Sequence, residues 1–146
     1  MYMKTTLKLQ VKSIQIRFTP MAVQWLGGTT NVDDQHTICN QALFYDLLGR
    51  MKLSPSADTS FRRPQVVQPG QTQISENRLA SEWGITRKKV RGILSKLELA
   101  GLIRISSDTT ASIVSFVGIH SWTLPTGETL PNPFYKAPEG AIPSGK

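Results

Sequence analysis

The sequence predicts an α+β fold, and three observations predict it. Residues 75–101 hold two short amphipathic helical patterns joined at a glycine, Gly84. Directly behind them, residues 102–105 and 113–117 are runs rich in β-branched side chains with a polar stretch between, the signature of a hairpin. Directly ahead, residues 72–74 form a short strand that can join that hairpin as a third strand.

Taken in chain order, Leu7, Leu9 and Val11 alternate with polar residues and read as a strand. The alternation slips at Lys12 and Ser13 and resumes at Ile14, Ile16 and Phe18, so a bulge or a break belongs there. Thr19 and Pro20 supply a cap and a first helical position for a short helix that Gly27 and Gly28 stop. Asp33 and Asp34 suit the N-terminus of a longer helix. Ile38, Ala42, Tyr45 and Leu48 follow at helical spacing, Leu43, Phe44 and Leu47 widen the apolar face, and the helix is expected to end near Met51. Residues 54–64 read as a polar loop containing Arg62 and Arg63, and 65–68 as a short strand. Pro69 and Gly70 fit the centre of a type II turn.

Ser75 then caps one helix, with Glu76 in its first turn and Leu79, Ala80 and Trp83 on its apolar side. Trp83 therefore reads as core, while Trp25 and Trp122 stay open. Gly84 stands where a left-handed residue ends a helix, Ile85 plugs the corner, and Thr86 caps the next helix. Val90, Ile93, Leu94 and Leu97 form its buried stripe, and Ala100 and Gly101 close it. Two helices across such a turn are a helix-turn-helix, and a hairpin behind one is a wing. The wing turn holds Asp108. From about Thr123 onward, Pro125, Pro131, Pro133, Pro138 and Pro143 alternate with Gly127, Gly140 and Gly145, which reads as a surface tail. The expected architecture is a winged helix-turn-helix: a three-helix core with a small antiparallel wing sheet. It spans residues 31–120, between an N-terminal strand and helix arm over 1–30 and a Pro/Gly-rich tail over 121–146.

Composition narrows the chemistry. The 146 residues carry a net charge of +7 with a pI near 9.9, a balance that favours polyanionic partners. Cys39 is the single cysteine and the two histidines, His36 and His120, lie far apart, so neither a disulfide nor a cysteine-rich metal site is expected. No segment approaches 18 consecutive apolar residues and Lys4 and Lys8 precede no apolar run, so neither a membrane span nor a signal peptide is expected, and the chain reads as cytoplasmic. No nucleophile triad, paired carboxylates, phosphate-binding loop or metal spacing is present in the sequence. An enzyme is not expected, nor any cofactor.

The polar face of the second helix carries the functional signal. Arg87, Lys88, Lys89 and Arg91 crowd its first turn and a half, with Ser95 and Lys96 one turn on. Cations there oppose the positive end of the helix dipole, an arrangement that costs stability unless phosphate supplies the negative charge. A recognition helix enters the major groove by that end. Arg87, Lys88 and Arg91 are the candidates for base edges, and Thr86 and Lys89 for phosphate. Ser75, Asn77 and Arg78 on the preceding helix and Arg104 at the wing's base complete the candidate DNA-binding set. A solvated basic face on an ordinary helix is the plainer alternative. Arg62 and Arg63 divide evenly between phosphate contact and plain loop, and Lys4, Lys8, Lys12 and Arg17 between a DNA-tracking arm and a solvated strand face.

Pro69, Gly70 and Gln71, the pair Leu79-Ala80 followed by Gly84 and Thr86, and the ending Leu94, Leu97, Glu98, Gly101 and Ile103 form a motif series. It resembles the N-terminal winged-helix domains of phage replication initiators, the replisome organisers, and also GntR-type regulator domains. The resemblance covers about residues 41–117. It implies sequence-specific or semi-specific binding of double-stranded DNA, in replication initiation or transcription regulation of a phage or mobile element. Replication or transcription proteins and a second copy of the chain, as a homodimer, would be further partners. The alternative is a protein-interaction module whose basic face meets an acidic partner.

Overall fold

The computed structural model describes residues 10–107 and 111–137. The strand expected at Leu7 and Leu9, the lysines Lys4 and Lys8, Asp108 of the expected wing turn and the part of the expected tail from Pro138 onward lie outside the described residues.

The chain starts with β1 (Ser13–Ile16) and α1 (Pro20–Leu26). Thr19 accepts a hydrogen bond from the Ala22 N–H at 3.1 Å, and its own hydroxyl donates to the Ala100 carbonyl at 2.8 Å. One side chain thus caps α1 and ties it to the far end of a later helix. A short hairpin follows, β2 (Thr29–Asn31) and β3 (Thr37–Cys39), and then α2 (Asn40–Leu48). The helix expected from Asp33 therefore begins seven residues late. The Asp33 carboxylate accepts from the Gln35 N–H at 2.8 Å and meets His36 Nδ1 at the same distance. Such local bonding offers the backbone a turn in place of a helix.

Residues 49–70 lack regular structure apart from one bridge between Ser56 and Val67, where a strand over 65–68 was expected. Pro69 and Gly70 make the expected turn, Gly70 at φ 94° and the Gln71 N–H bonded to the Gln68 carbonyl at 3.0 Å. Then come β4 (Gln71–Ile74), α3 (Glu76–Trp83), α4 (Arg87–Leu99), β5 (Arg104–Ser107) and β6 (Ser112–Ser115). The order β4-β6-β5 places the strand before α3 beside the hairpin behind α4, antiparallel throughout. The chain ends in β7 (Ile119–Thr123) and β8 (Thr129–Pro131), which form a second three-stranded sheet with β1 in the order β1-β7-β8.

This is α+β, but it is not the expected three-helix winged helix-turn-helix. Among the described residues there are four short helices and eight strands in three small antiparallel sheets. The helices do not form a three-membered core: α1 packs on both α2 and α4, and α3 packs on α4. The described parts of the expected arm and tail, residues 10–30 and 121–137, are built into the structure. β1 pairs with β7 from Ser13 opposite Thr123, with its register irregularity between Gln15 and Ile16 rather than at Lys12 and Ser13. β8 pairs on the other edge of β7. The reason is apolar area: Ile119 and Trp122 on β7 are fully buried and need cover from both sides.

The tail's prolines do not prevent this, because Pro131 ends an edge strand, where a missing N–H is tolerated. Asn132 then does what a regular strand would otherwise do. It is buried, donates from Nδ2 to the Phe116 and Ile119 carbonyls at 2.8 Å each, and accepts from the Phe134 N–H at 3.0 Å. The core itself runs through all the layers, with Trp83, Trp122, Phe44 and Phe116 its largest fully buried side chains. Gly118 sits where the chain passes the α4–β5 junction. A β-carbon there would lie 3.0 Å from the Gly101 carbonyl oxygen and 3.1 Å from the Leu102 Cα, so any side chain would have to push that backbone back by a few tenths of an ångström.

Candidate nucleic-acid interface

The helical hairpin forms as its local signals dictate. Ser75 caps α3 by accepting from the Arg78 N–H at 3.2 Å, and Gly84 ends it in the left-handed region at φ 71°. Thr86 caps α4 by accepting from the Lys89 N–H at 3.2 Å. Val90, Ile93, Leu94 and Leu97 are buried, which turns the opposite face of α4 outward. On that face Arg87, Lys88, Arg91, Gly92, Ser95, Lys96 and Leu99 are exposed.

These side chains are not equivalent. Arg87 Nε donates to Glu76 Oε1 at 3.0 Å and Arg91 Nη2 to the same oxygen at 2.9 Å. A single carboxylate on the first turn of α3 thus braces two arginines of α4. The Arg91 hydrogen bond holds the Glu76 carboxyl below its ordinary 4.5, partial burial opposes this, and Arg87 adds to the lowering. The negative charge expected from phosphate is therefore partly supplied within the fold. Lys89 Nζ reaches back to the Asn31 carbonyl at 2.8 Å and so fastens β2 to α4. Lys88, Ser95 and Lys96 make no side-chain hydrogen bond or ion pair among the described residues.

The remaining candidates are dispersed around α3 and β5. Asn77 is exposed on the first turn of α3. Arg78 turns away from α4 and holds the loop before β4, with Nη1 on the Ser60 hydroxyl at 2.9 Å, Nη2 on its carbonyl at 2.8 Å, and the guanidinium 4.1 Å from the centre of the Phe61 ring. That is a structural employment which sequence spacing did not indicate. Arg104 is exposed on β5, near the end of α4, where Glu98 accepts from the Ile105 N–H at 2.9 Å. Of the basic residues in the N-terminal segment, Lys12 is exposed and Arg17 donates to the Tyr135 hydroxyl at 3.0 Å.

Two further features mark this face. Gly92 occupies the interior of α4, and a β-carbon there would meet no heavy atom within 4 Å. Nothing within the fold explains a glycine at that position. It opens a shallow groove of about 350 Å³ between α4 and the α1/β2 side, lined by Trp25, Thr30, Asn31, Lys89 and Lys96. The second feature is Leu99, which is 68% exposed at the C-terminal end of the same face. Both were visible in the helical phase: Lys88, Gly92, Ser95 and Leu99 fall at spacings of three and four.

Among the described residues, no helix is long and apolar enough to cross a membrane. No family model, curated protein or solved structure matches this chain.

Proposed function

We propose that this protein binds double-stranded DNA through the outward face of α4. The observation that carries the reading is the uncovered row of Lys88, Arg91, Ser95 and Lys96 around Gly92. Lys88 and Lys96 have no acid partner among the described residues, Arg87 and Arg91 are held in fixed orientation by Glu76, and a glycine lets another surface approach the helix backbone. The net charge of +7 acts in the same direction. Arg87 and Arg91 are suited to base edges because their forks are already oriented, whereas Lys88 and Lys96 are suited to phosphate. A role in replication initiation or in transcriptional control of a phage or mobile element belongs to the same proposal and rests on the motif resemblance.

The test is fluorescence anisotropy with duplex DNA at two salt concentrations. With about four to six phosphates neutralised, affinity should fall several hundred-fold between about 50 and 200 mM salt. A flat response overturns the reading. Leu99 favours a second one, an acidic protein surface with an apolar centre, because an exposed leucine contributes nothing to phosphate contact. Binding to such a partner that duplex DNA does not compete away would decide for it.

A further inference from the structure

The loop between α2 and β4 contains no regular element around residues 58–65, yet it is fixed at several points. Gln73, buried on β4, donates from Nε2 to the Arg63 carbonyl at 3.1 Å and accepts from the Gln65 N–H at 2.9 Å. Arg78 on α3 holds Ser60 and Phe61, and the Asp58 carboxylate accepts from the Ser60 N–H at 2.9 Å. The backbone on both sides of Arg62 and Arg63 is therefore pinned. The two arginine side chains are exposed, with no side-chain hydrogen bond or ion pair among the described residues. Together with Phe61, Gln73, Ser75 and Arg78 they line an open cleft of about 490 Å³ beside the start of α3.

The placement of this cleft relative to α4 follows from the first turn of α3. Glu76 reaches Arg87 and Arg91, and Arg78 reaches the loop. Residues two apart on a helix point about 200° apart, so α4 and the loop lie on nearly opposite sides of α3, with Asn77 exposed between them. A helix with its side chains is about 10–12 Å across, close to the roughly 12 Å width of the major groove. On the DNA reading, with α4 in the groove, a loop on the far side of α3 would lie toward one of the strands that border the groove.

We propose that Arg62 and Arg63 form a second contact, to the sugar-phosphate strand bordering the groove that α4 addresses. This rests on the DNA reading of α4. Arginine forks match phosphate oxygens, and a pinned loop presents them with less freedom to lose than a mobile one.

Three proteins separate the outcomes on a selected duplex and a scrambled one across a salt series: wild type, Arg62→Ala with Arg63→Ala, and Lys88→Ala with Arg91→Ala. The loop variant should bind both duplexes about ten-fold more weakly, with the slope of log affinity against log salt reduced by about one to two. Arg62→Lys with Arg63→Lys should restore most of the slope. If the loop variant keeps wild-type affinity and slope while the α4 variant loses both, the loop contact is overturned and the DNA reading of α4 stands. If the loop variant loses affinity only for the selected duplex, a phosphate contact is overturned. If wild type shows no salt-dependent binding to either duplex, both readings fall.

Discussion

Gly92 offers a substitution whose effects on stability and on binding should have opposite signs. It is the sixth of the 13 residues of α4, where glycine costs about 0.8–1.0 kcal/mol relative to alanine. A β-carbon there meets no heavy atom within 4 Å and the backbone is not in the left-handed region, so neither clash nor strain offsets the gain. Gly92→Ala should stabilise the protein by about 1 kcal/mol, which for a chain of this size is a rise of about 3–5 °C in Tm. Gly92→Gln should keep most of that gain, because glutamine is a good helix former. It also fills the space in front of α4, between Lys88 and Ser95. If this face meets DNA, the longer side chain holds the helix off the groove and affinity should drop at least ten-fold, about 1.4 kcal/mol. Urea melts followed by tryptophan fluorescence measure the first effect, and anisotropy with duplex DNA the second. Gly92→Ala that destabilises would refute the claim that the site is open. Gly92→Gln that binds duplex as wild type does would remove this face of α4 from the interface.

The two buried tryptophans should respond differently to loss of their indole N–H. Trp83 Nε1 donates to Asp46 Oδ2 at 2.7 Å, whereas Trp122 Nε1 has no partner among the described residues, so denaturant melts should show Trp83→Phe costing about 1.5–3 kcal/mol more than Trp122→Phe, and equal costs would refute this. Asn132→Ala removes one donor each from the Phe116 and Ile119 carbonyls in a buried site, the Phe116 carbonyl keeping the Ile119 N–H at 3.1 Å, and should cost about 1–3 kcal/mol, and removal of residues from Leu124 onward should lower Tm as well; an unchanged Tm in either would mean that the segment after β7 is not part of the fold. Glu76 is held below its ordinary value in the folded state, so the stability it contributes is present above about pH 4.5 and is lost as pH falls through the lowered value. Glu76→Gln should therefore lose less stability than wild type on acidification, and parallel pH profiles would contradict the brace.

The parts of the fold legible in the sequence are those set by local chemistry. Ser75, Gly84 and Thr86 act within their own turns, so α3, the corner and α4 begin and end where the caps place them. Pro69 and Gly70 likewise make their turn from their own dihedral preferences. The architecture was not legible, because it depends on pairings between distant segments. Nothing near Ser13 announces that it lies opposite Thr123. The proline-rich stretch reads as a tail because an edge strand of three residues and one buried asparagine leave almost no pattern. At Asp33 the same residue type serves a helix start and a hairpin turn, and its bond to the Gln35 N–H selects the turn. At the candidate site the cations of α4 stood out by spacing, whereas the work of Arg78 on Ser60 and Phe61 depends on a loop whose path no local rule specifies.

The Glu76 brace changes what the cluster of charge on α4 means. Taken alone, cations at the start of a helix are unfavourable, and phosphate is the simplest cure. With Glu76 in place, Arg87 and Arg91 already have a counter-charge, so phosphate there would replace an interaction and not create one. Their contribution to non-specific affinity should be small for arginines. What the brace adds is orientation: both guanidinium groups share one carboxylate oxygen, and each is more than half exposed beyond it. An oriented fork with donors still facing outward can distinguish one pattern of acceptors from another, whereas a mobile lysine responds mainly to charge. If this face binds duplex DNA as proposed, affinity falls to Lys88 and Lys96 and discrimination to Arg87 and Arg91. That division belongs to the pair of helices: the charge is written on α4, but the residue that sets its direction is on α3.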